Sequence, residues 1–272
     1  MRKKRNFTFG LIGCGNMGGA LAQCLTKYAG ISPEKICASD IDRSKTEVFR
    51  KRFGIPACNT DTLVKNSRFV IIAVKPKDVP QLCSVISPNL KKNSVIISVA
   101  AGITIDSIKK MIDRDVSVIR FMPNLAIGYG NGLIAYCARN VSSTKLKQVV
   151  RIFSKGGYCF PVKEKDMFFM TAVAGSAPGF FFHLAEVIYE LLRERGFSDD
   201  ASLRIVSTLF EGTGTVIAKS GENPALLKSK VCSPGGTTLA GLSKLKEGNF
   251  SKLINSAFEA AEKRAIELSK QR

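Results

Sequence analysis

The sequence predicts an α/β domain with a doubly wound parallel sheet, followed by an all-helical domain. Three observations carry that expectation. Short β-branched runs alternate with amphipathic stretches through the first part of the chain. A G-x-G-x-x-G turn, Gly13 to Gly18, stands between the first strand and the first helix. Beyond residue 162 the strand signal fades and apolar residues recur at helical spacing. The chain has 272 residues, room for two domains of roughly 100–200 residues each; their expected bounds are 1–162 and 163–272.

Each element has its own reason. Thr8–Ile12 reads as a strand and Met17–Tyr28 as a helix; Ile36–Ser39 and Ser44–Phe53 repeat the pair. Arg68–Val74 and Ser94–Val99 are continuous apolar runs of strand length, the pattern of strands covered on both faces. Val116–Phe121 is another, with helical stretches Val79–Ile86 and Ile105–Ile112 between these strands. Gly132–Ala138 reads as an edge strand, Ser143–Ser154 as a helix and Tyr158–Pro161 as a last strand. Phe180–Arg195 is apolar at helical spacing and stops at Gly196, a C-terminal cap. Ser198–Ser220 opens with a serine cap followed by two acids, which suit the helix dipole. Ser251–Lys270 is amphipathic. The apolar faces of these last helices require a partner, either the first domain or a second subunit.

Composition narrows the function. Hydrophobic residues are 45% and charged residues 23%, which excludes disorder as the main state. No run approaches the ~18 apolar residues of a membrane span, so no membrane role is expected. Lys plus Arg is 41 against 22 acids, a net charge of +19, which raises nucleic acid or anionic metabolites as partners. The cations cluster only briefly, at Arg2–Arg5, Arg50–Arg52 and Lys91–Lys92, and no aromatics interleave with them. A solvated basic surface that favours anionic cofactor and substrate is expected, not a nucleic-acid binder. The start, Met1–Arg5, is expected to be a solvated tail and no targeting segment. His183 is the only histidine, which excludes multi-histidine metal sites. It is expected in the core with one hydrogen-bond partner, as is the run Phe180–Phe182. None of the eight cysteines forms a C-x-x-C motif; they read as small buried hydrophobes in a reducing compartment, the cytoplasm.

The chemistry concentrates in glycine-rich turns. Gly13 permits the tight turn, Gly15 lets the backbone approach a pyrophosphate, and Gly18 lets the helix lie close to the strand; Asn16 and Met17 open a helix whose free amides favour an anion. After the second strand, Asp40 is placed to accept from a ribose 2′-hydroxyl, favouring NADH, while Arg43 and Lys45 are placed to hold a 2′-phosphate, favouring NADPH. The cationic surroundings lean weakly to NADPH. Asp42 or Ser44 alternatively caps the next helix. Ala73-Val74-Lys75-Pro76 ends a strand and forbids helix at Lys75. Ala100-Ala101-Gly102 and Met122-Pro123-Asn124 end two more strands on the same edge, where Asn124 either orients a carboxamide or forms a turn. In the second half, Gly175-Ser176-Ala177-Pro178-Gly179 and Ser233-Pro234-Gly235-Gly236-Thr237-Thr238 read as loops that expose backbone amides at helix starts, a neutral way to hold a carboxylate. Glu222, in a Ser220–Pro224 turn, reads as a solvated acid.

Taken together and in order, these motifs resemble the pyrroline-5-carboxylate reductases over nearly the whole chain. The most specific part is Val231–Thr238, with Ser220-Gly221-Glu222-Asn223-Pro224 ahead of it. The resemblance implies a Rossmann-type domain, a helical dimerisation domain that interleaves with its mate, and an active site built across the dimer, with rings of dimers in some members. It implies that Gly13–Gly18 bind the pyrophosphate and that Asn59 and Lys75 contact the cofactor. It further implies that Ser233–Thr238 hold the substrate carboxylate and that Thr238 places its hydroxyl by the imine nitrogen. Three positions depart from the family pattern. Asp40 stands where a neutral residue is usual, Leu125 where Thr is frequent, and Thr208-Leu209 where Gln-Thr is common.

The reaction so implied is hydride transfer from NADPH or NADH to the imine carbon of 1-pyrroline-5-carboxylate, giving proline. The cyclic iminium is already electrophilic, so proximity and orientation dominate, and the cofactor carries the hard chemistry. A β-hydroxyacid dehydrogenase is the alternative enzyme, but Glu186–Arg195 lacks the G-x-x-x-N-x-x-K pattern of its catalytic lysine.

Overall fold

The computed structural model describes residues 6–270; the basic start at Arg2–Arg5 lies outside them. Seven strands form one sheet in the order β2-β1-β3-β4-β5-β6-β7. They are β1 Phe7–Ile12, β2 Ile36–Ser39, β3 Ser67–Ile72, β4 Val95–Ser98, β5 Ser117–Pro123, β6 Gly132–Arg139 and β7 Gly157–Pro161. β1 to β5 pair in parallel, β6 runs antiparallel to β5, and β7 is parallel to β6. The sheet is thus mostly parallel, with its reversal confined to one side. The strand expected at the edge over Gly132–Ala138 is β6, which lies inside the sheet, because Gly157–Pro161 pairs on its far side and takes the edge itself.

The apolar runs alternate between two layers. Phe69 and Ile71 face one side of β3 while Val70 and Ile72 face the other, as the period of two requires. Helices α1 (Asn16–Gln23, continued by a wider turn to Tyr28), α2 (Arg43–Phe53) and α6 (Ser143–Phe153) cover one face. There Phe9, Phe69, Phe121 and Phe153 form a ring cluster with centroids 5.1–6.1 Å apart. Helices α3 (Thr60–Asn66), α4 (Val79–Ile86) and α5 (Ile105–Ile112) cover the other. The sequence reading missed α3. Its signal is Asn59, whose side chain caps the helix by accepting from the Thr62 amide at 2.8 Å.

Glu164–Glu194 is one unbroken helical run of 31 residues. It comprises α7 (Met167–Met170), a wider turn over Thr171–Ser176, and α8 (Ala177–Glu194). This corrects the reading of Gly175–Gly179 as a loop. A proline at 178 would clash with the carbonyl four residues back in a regular helix; the chain widens into a π turn there and continues. The run is also long and apolar enough to cross a membrane by length and composition, contrary to the expectation that no segment reaches that size. α9 (Asp199–Ser220), α10 (Pro224–Lys230), α11 (Thr237–Glu247) and α12 (Phe250–Lys270) follow.

The chain divides into two compact units: residues up to Gly175 together with those from Ala261 onward, and Ser176–Ala260. In the second, Ala177, Ser202 and Val206 are the buried residues, whereas Phe181, Phe182, Leu203, Leu209, Val216 and Leu253 are exposed. The expected core histidine is corrected here. His183 is exposed, with its Nδ1 3.0 Å from Glu186. Phe181 and Phe182 are likewise exposed, whereas Phe180 is half-buried and lies edge-on to Phe258. Helical spacing marks an apolar face but does not say which chain covers it.

One cysteine pair departs from the expectation of unpaired hydrophobes. Cys37 and Cys58 form a disulfide with Cα atoms 6.3 Å apart. No short spacing announces it; the pairing of Ala38 with Ala57 brings the two segments together.

Candidate active site

The first turn has the geometry its glycines imply. Gly13 adopts φ +103°, and a Cβ there would come 2.5 Å from the Ala73 carbonyl oxygen, so the turn after β1 lies tight against the chain leaving β3. A Cβ on Gly18 would overlap the Gly13 carbonyl, whereas nothing lies within 4 Å of one on Gly15. Two glycines therefore serve packing, and Gly15 is the one left open to a ligand. Gly15 is the N-cap of α1 and supplies no side-chain cap, so the amides of Asn16, Met17 and Gly18 start the helix without a hydroxyl or carboxylate to satisfy them. The turn sits where the strand order reverses between β1 and β3, the place where open α/β sheets bind ligands. These features fit a dinucleotide pyrophosphate.

The loop after β2 is fixed to that turn. Asp40 accepts from the Cys14 amide at 2.7 Å and from the Asp42 amide at 2.9 Å. Burial and the neighbouring Asp40 push the Cys14 thiol up to about 12, so it stays neutral. Asp42 caps α2, as one of the two readings of that loop expected. Ser39 meets Thr60 at 2.9 Å, tying the end of β2 to the start of α3. Asn59 spends its carbonyl on the α3 cap; its NH2 group makes no hydrogen bond among the described residues.

The other strand ends divide by exposure. Lys75 is exposed and extended, with Pro76 starting a short turn behind it, and Ala73 and Val74 are half-buried. Ala100 is buried in the core, so only its backbone is available to a ligand. Asn124 donates its amide to the Leu133 carbonyl at 3.2 Å and accepts from the Leu133 amide through its side-chain oxygen at 3.1 Å. It closes the β5–β6 connection, which is the turn-forming alternative.

A buried cluster supports these ends and carried no signal in the sequence. Arg120 on β5 is fully buried, and no guanidinium nitrogen has a hydrogen-bond partner among the described residues. Its compensation is Glu164 at 3.8 Å and the ring of Phe168 at 5.4 Å. Glu164 also accepts from the Ile105 amide at 2.6 Å and pairs with Arg139, so it holds the start of α5 just after Ala100-Ala101-Gly102.

In the second unit, Ser233–Thr238 is a turn into α11. Gly235 has φ +69°, open space where a Cβ would stand, and Gly236 is the N-cap, again without a side-chain cap. The hydroxyls of Thr237 and Thr238 make no hydrogen bond among the described residues, and both side chains are exposed. Capping thus uses neither threonine, and the helix start offers free amides and two hydroxyls for an anion. Ser176 lies inside the helical run rather than at a free helix start. Glu222 is half-buried and bound by Lys230 at 2.5 and 2.7 Å, not the solvated acid expected. Among the described residues no cluster of His, Cys, Asp and Glu could hold a metal.

Residues 164–268 match the family model for pyrroline-5-carboxylate reductase dimerisation, and residues 8–102 match that for the NADP oxidoreductases that are coenzyme F420-dependent. A pyrroline-5-carboxylate reductase of Arabidopsis thaliana is 31% identical, over 97% of this chain and 96% of its own. Pyrroline-5-carboxylate reductase 3 of Macaca fascicularis is 30% identical over 96% of each. The solved structure of the Plasmodium falciparum pyrroline carboxylate reductase with NADP bound superposes with a TM-score of 0.88, at 27% identity, over 97% of this chain and 99% of that one.

Proposed function

Because the chain belongs to the pyrroline-5-carboxylate reductase family, we propose that it reduces 1-pyrroline-5-carboxylate to proline. NAD(P)H, when bound, supplies the hydride. The Gly13–Gly18 turn takes the pyrophosphate on the amides of Asn16, Met17 and Gly18. Asp40, Arg43, Asn59 and Ala73–Pro76 flank the adenosine side, and the backbone at Ala100 and the amide of Asn124 flank the nicotinamide side. Ser233, Gly235, Gly236 and Thr237 hold the substrate carboxylate, with Ser176 assisting from the helical run. The Thr238 hydroxyl oxygen accepts from the iminium N–H and steadies the electrophile; hydride then forms the new C–H bond while the C=N π electrons return to the nitrogen, which keeps its proton as the amine of proline.

The observation that carries this reading is the start of α11. It presents amides and two hydroxyls that no side chain caps, next to a glycine in the left-handed region. That arrangement suits a small carboxylate with a ring nitrogen beside it. The remaining work is proximity and orientation, which agrees with one exposed histidine and no paired acid and base in these turns.

The apolar faces of Ser176–Ala260 are, in this reading, covered by a second copy of the chain, in a dimer or a ring of dimers, and not by lipid or nucleic acid. Six of the eight cysteines are free, and we place the enzyme in the cytoplasm. The test is direct. Purified protein with 1-pyrroline-5-carboxylate should consume NADH or NADPH absorbance and yield proline in equal amount. Appearance of that absorbance from NAD(P)⁺ with 3-hydroxy acids, and no consumption of NAD(P)H with the imino acid, would replace this reading with the β-hydroxyacid dehydrogenase one.

A further inference from the structure

We propose that Asp40 and Asp42 set the cofactor preference of this chain, excluding the 2′-phosphate and selecting NADH over NADPH. The inference rests on the dinucleotide reading of the Gly13–Gly18 turn. It runs against the overall positive charge, and the local hydrogen bonds are what decide it.

Asp40 is the residue that follows β2. Its Oδ2 accepts from the Cys14 amide at 2.7 Å and its Oδ1 from the Asp42 amide at 2.9 Å. The carboxylate is thereby clamped to the glycine turn itself. Each oxygen keeps lone-pair capacity for a ribose hydroxyl, while a phosphate brought to the same place meets a fixed like charge.

Asp42 adds a second obstacle. Its Oδ1 takes both the amide and the hydroxyl of Ser44, at 2.9 and 2.6 Å, and its Oδ2 lies 3.8 Å from Lys45 Nζ. The Ser44 bonds hold its carboxyl below the usual carboxylate range. Ser44 and Lys45 are the hydroxyl and the cation this loop would offer a phosphate, and Asp42 occupies both. Further along α2, Arg50 is paired with Glu47 and Arg52 donates to Gln23. Arg43 is the one cation of the loop whose side chain makes no hydrogen bond or ion pair among the described residues; only its carbonyl is engaged, by the Thr46 hydroxyl at 2.8 Å. A single exposed guanidinium therefore stands against two carboxylates, one of them immobilised.

The experiment is calorimetric titration of the full chain with NADH and, separately, with NADPH, without imino acid. NADH is expected to bind about tenfold or more tightly than NADPH. Asp40→Asn keeps an oxygen for a backbone amide but removes the charge; Asp42→Ser keeps a helix cap and releases Ser44 and Lys45. Each variant should tighten NADPH and narrow the ratio severalfold. Equal or tighter NADPH binding by the unaltered chain overturns the inference and leaves the dinucleotide reading standing. Binding of neither cofactor overturns both. An unchanged ratio in both variants overturns the assignment to these two carboxylates.

Discussion

The two compact units of this chain differ in how much of their own surface they satisfy. The sheet unit buries its apolar runs on both faces, and its ring cluster and helix layers close without help. The helical unit buries Ala177, Ser202 and Val206 and exposes leucines, valines and phenylalanines along α8, α9 and α12. An apolar face left open over several helices marks an interaction surface. In the function proposed above, cofactor recognition sits in the part that is structurally self-sufficient, and the turn assigned to the substrate carboxylate sits in the part whose apolar faces are open.

Charging the open face should produce the largest effect. Leu209→Glu with Val216→Glu, one helical heptad apart on α9 and both exposed, should convert the assembly to monomers in sedimentation and abolish measurable turnover. Dinucleotide binding by the sheet unit should survive. A stable oligomer in the double variant would mean that another surface carries the association.

The self-sufficient unit should instead respond through stability. Phe153→Ala removes a fully buried ring packed against Phe9 and Phe121 and should cost roughly 3–5 kcal/mol in denaturant unfolding. A comparable loss is expected from Glu164→Gln, which strands the buried Arg120 guanidinium without its counter-charge, roughly 3–5 kcal/mol. Arg120→Met should be far milder, because it removes the buried charge together with the need to compensate it. Equal losses from the two variants would show that Arg120 contributes by packing rather than through its pairing.

The last effect concerns pH, and just above pH 9 it is small. Burial raises the thiols of Cys14 and Cys24 to about 12. The folded chain therefore keeps protons that the unfolded chain releases above about pH 9. Stability should fall as pH rises from 9 toward 12, and neither thiol should alkylate at pH 8 until the unit unfolds. Rapid alkylation of either in the native protein would contradict their burial.

The same contrast explains what the sequence made legible. Strands buried on both faces announce themselves as apolar runs, and β2, α4 and α5 end where the pattern says. Gly13 and Gly18 of the first turn were readable because each answers a steric demand within one short segment. α3 was not, since its seven residues are mostly polar and its cap lies at Asn59. The Gly175–Gly179 stretch misled because a π turn absorbs its proline inside a helix. Arg120 with Glu164, and Cys37 with Cys58, each join a strand to a segment beyond the sheet, far from it in the chain. His183 and Phe182 were misplaced for a different reason: a repeating apolar face carries no record of which copy covers it.

The most direct measurement is turnover set against cofactor affinity in Thr238→Ala. The account predicts that proline formation falls by about tenfold or more while the dissociation constant for the reduced dinucleotide stays within about twofold of the unaltered enzyme. Weakened dinucleotide binding with turnover preserved at saturating cofactor would contradict it, and the turn into α11 would then belong to the cofactor instead of the imino acid.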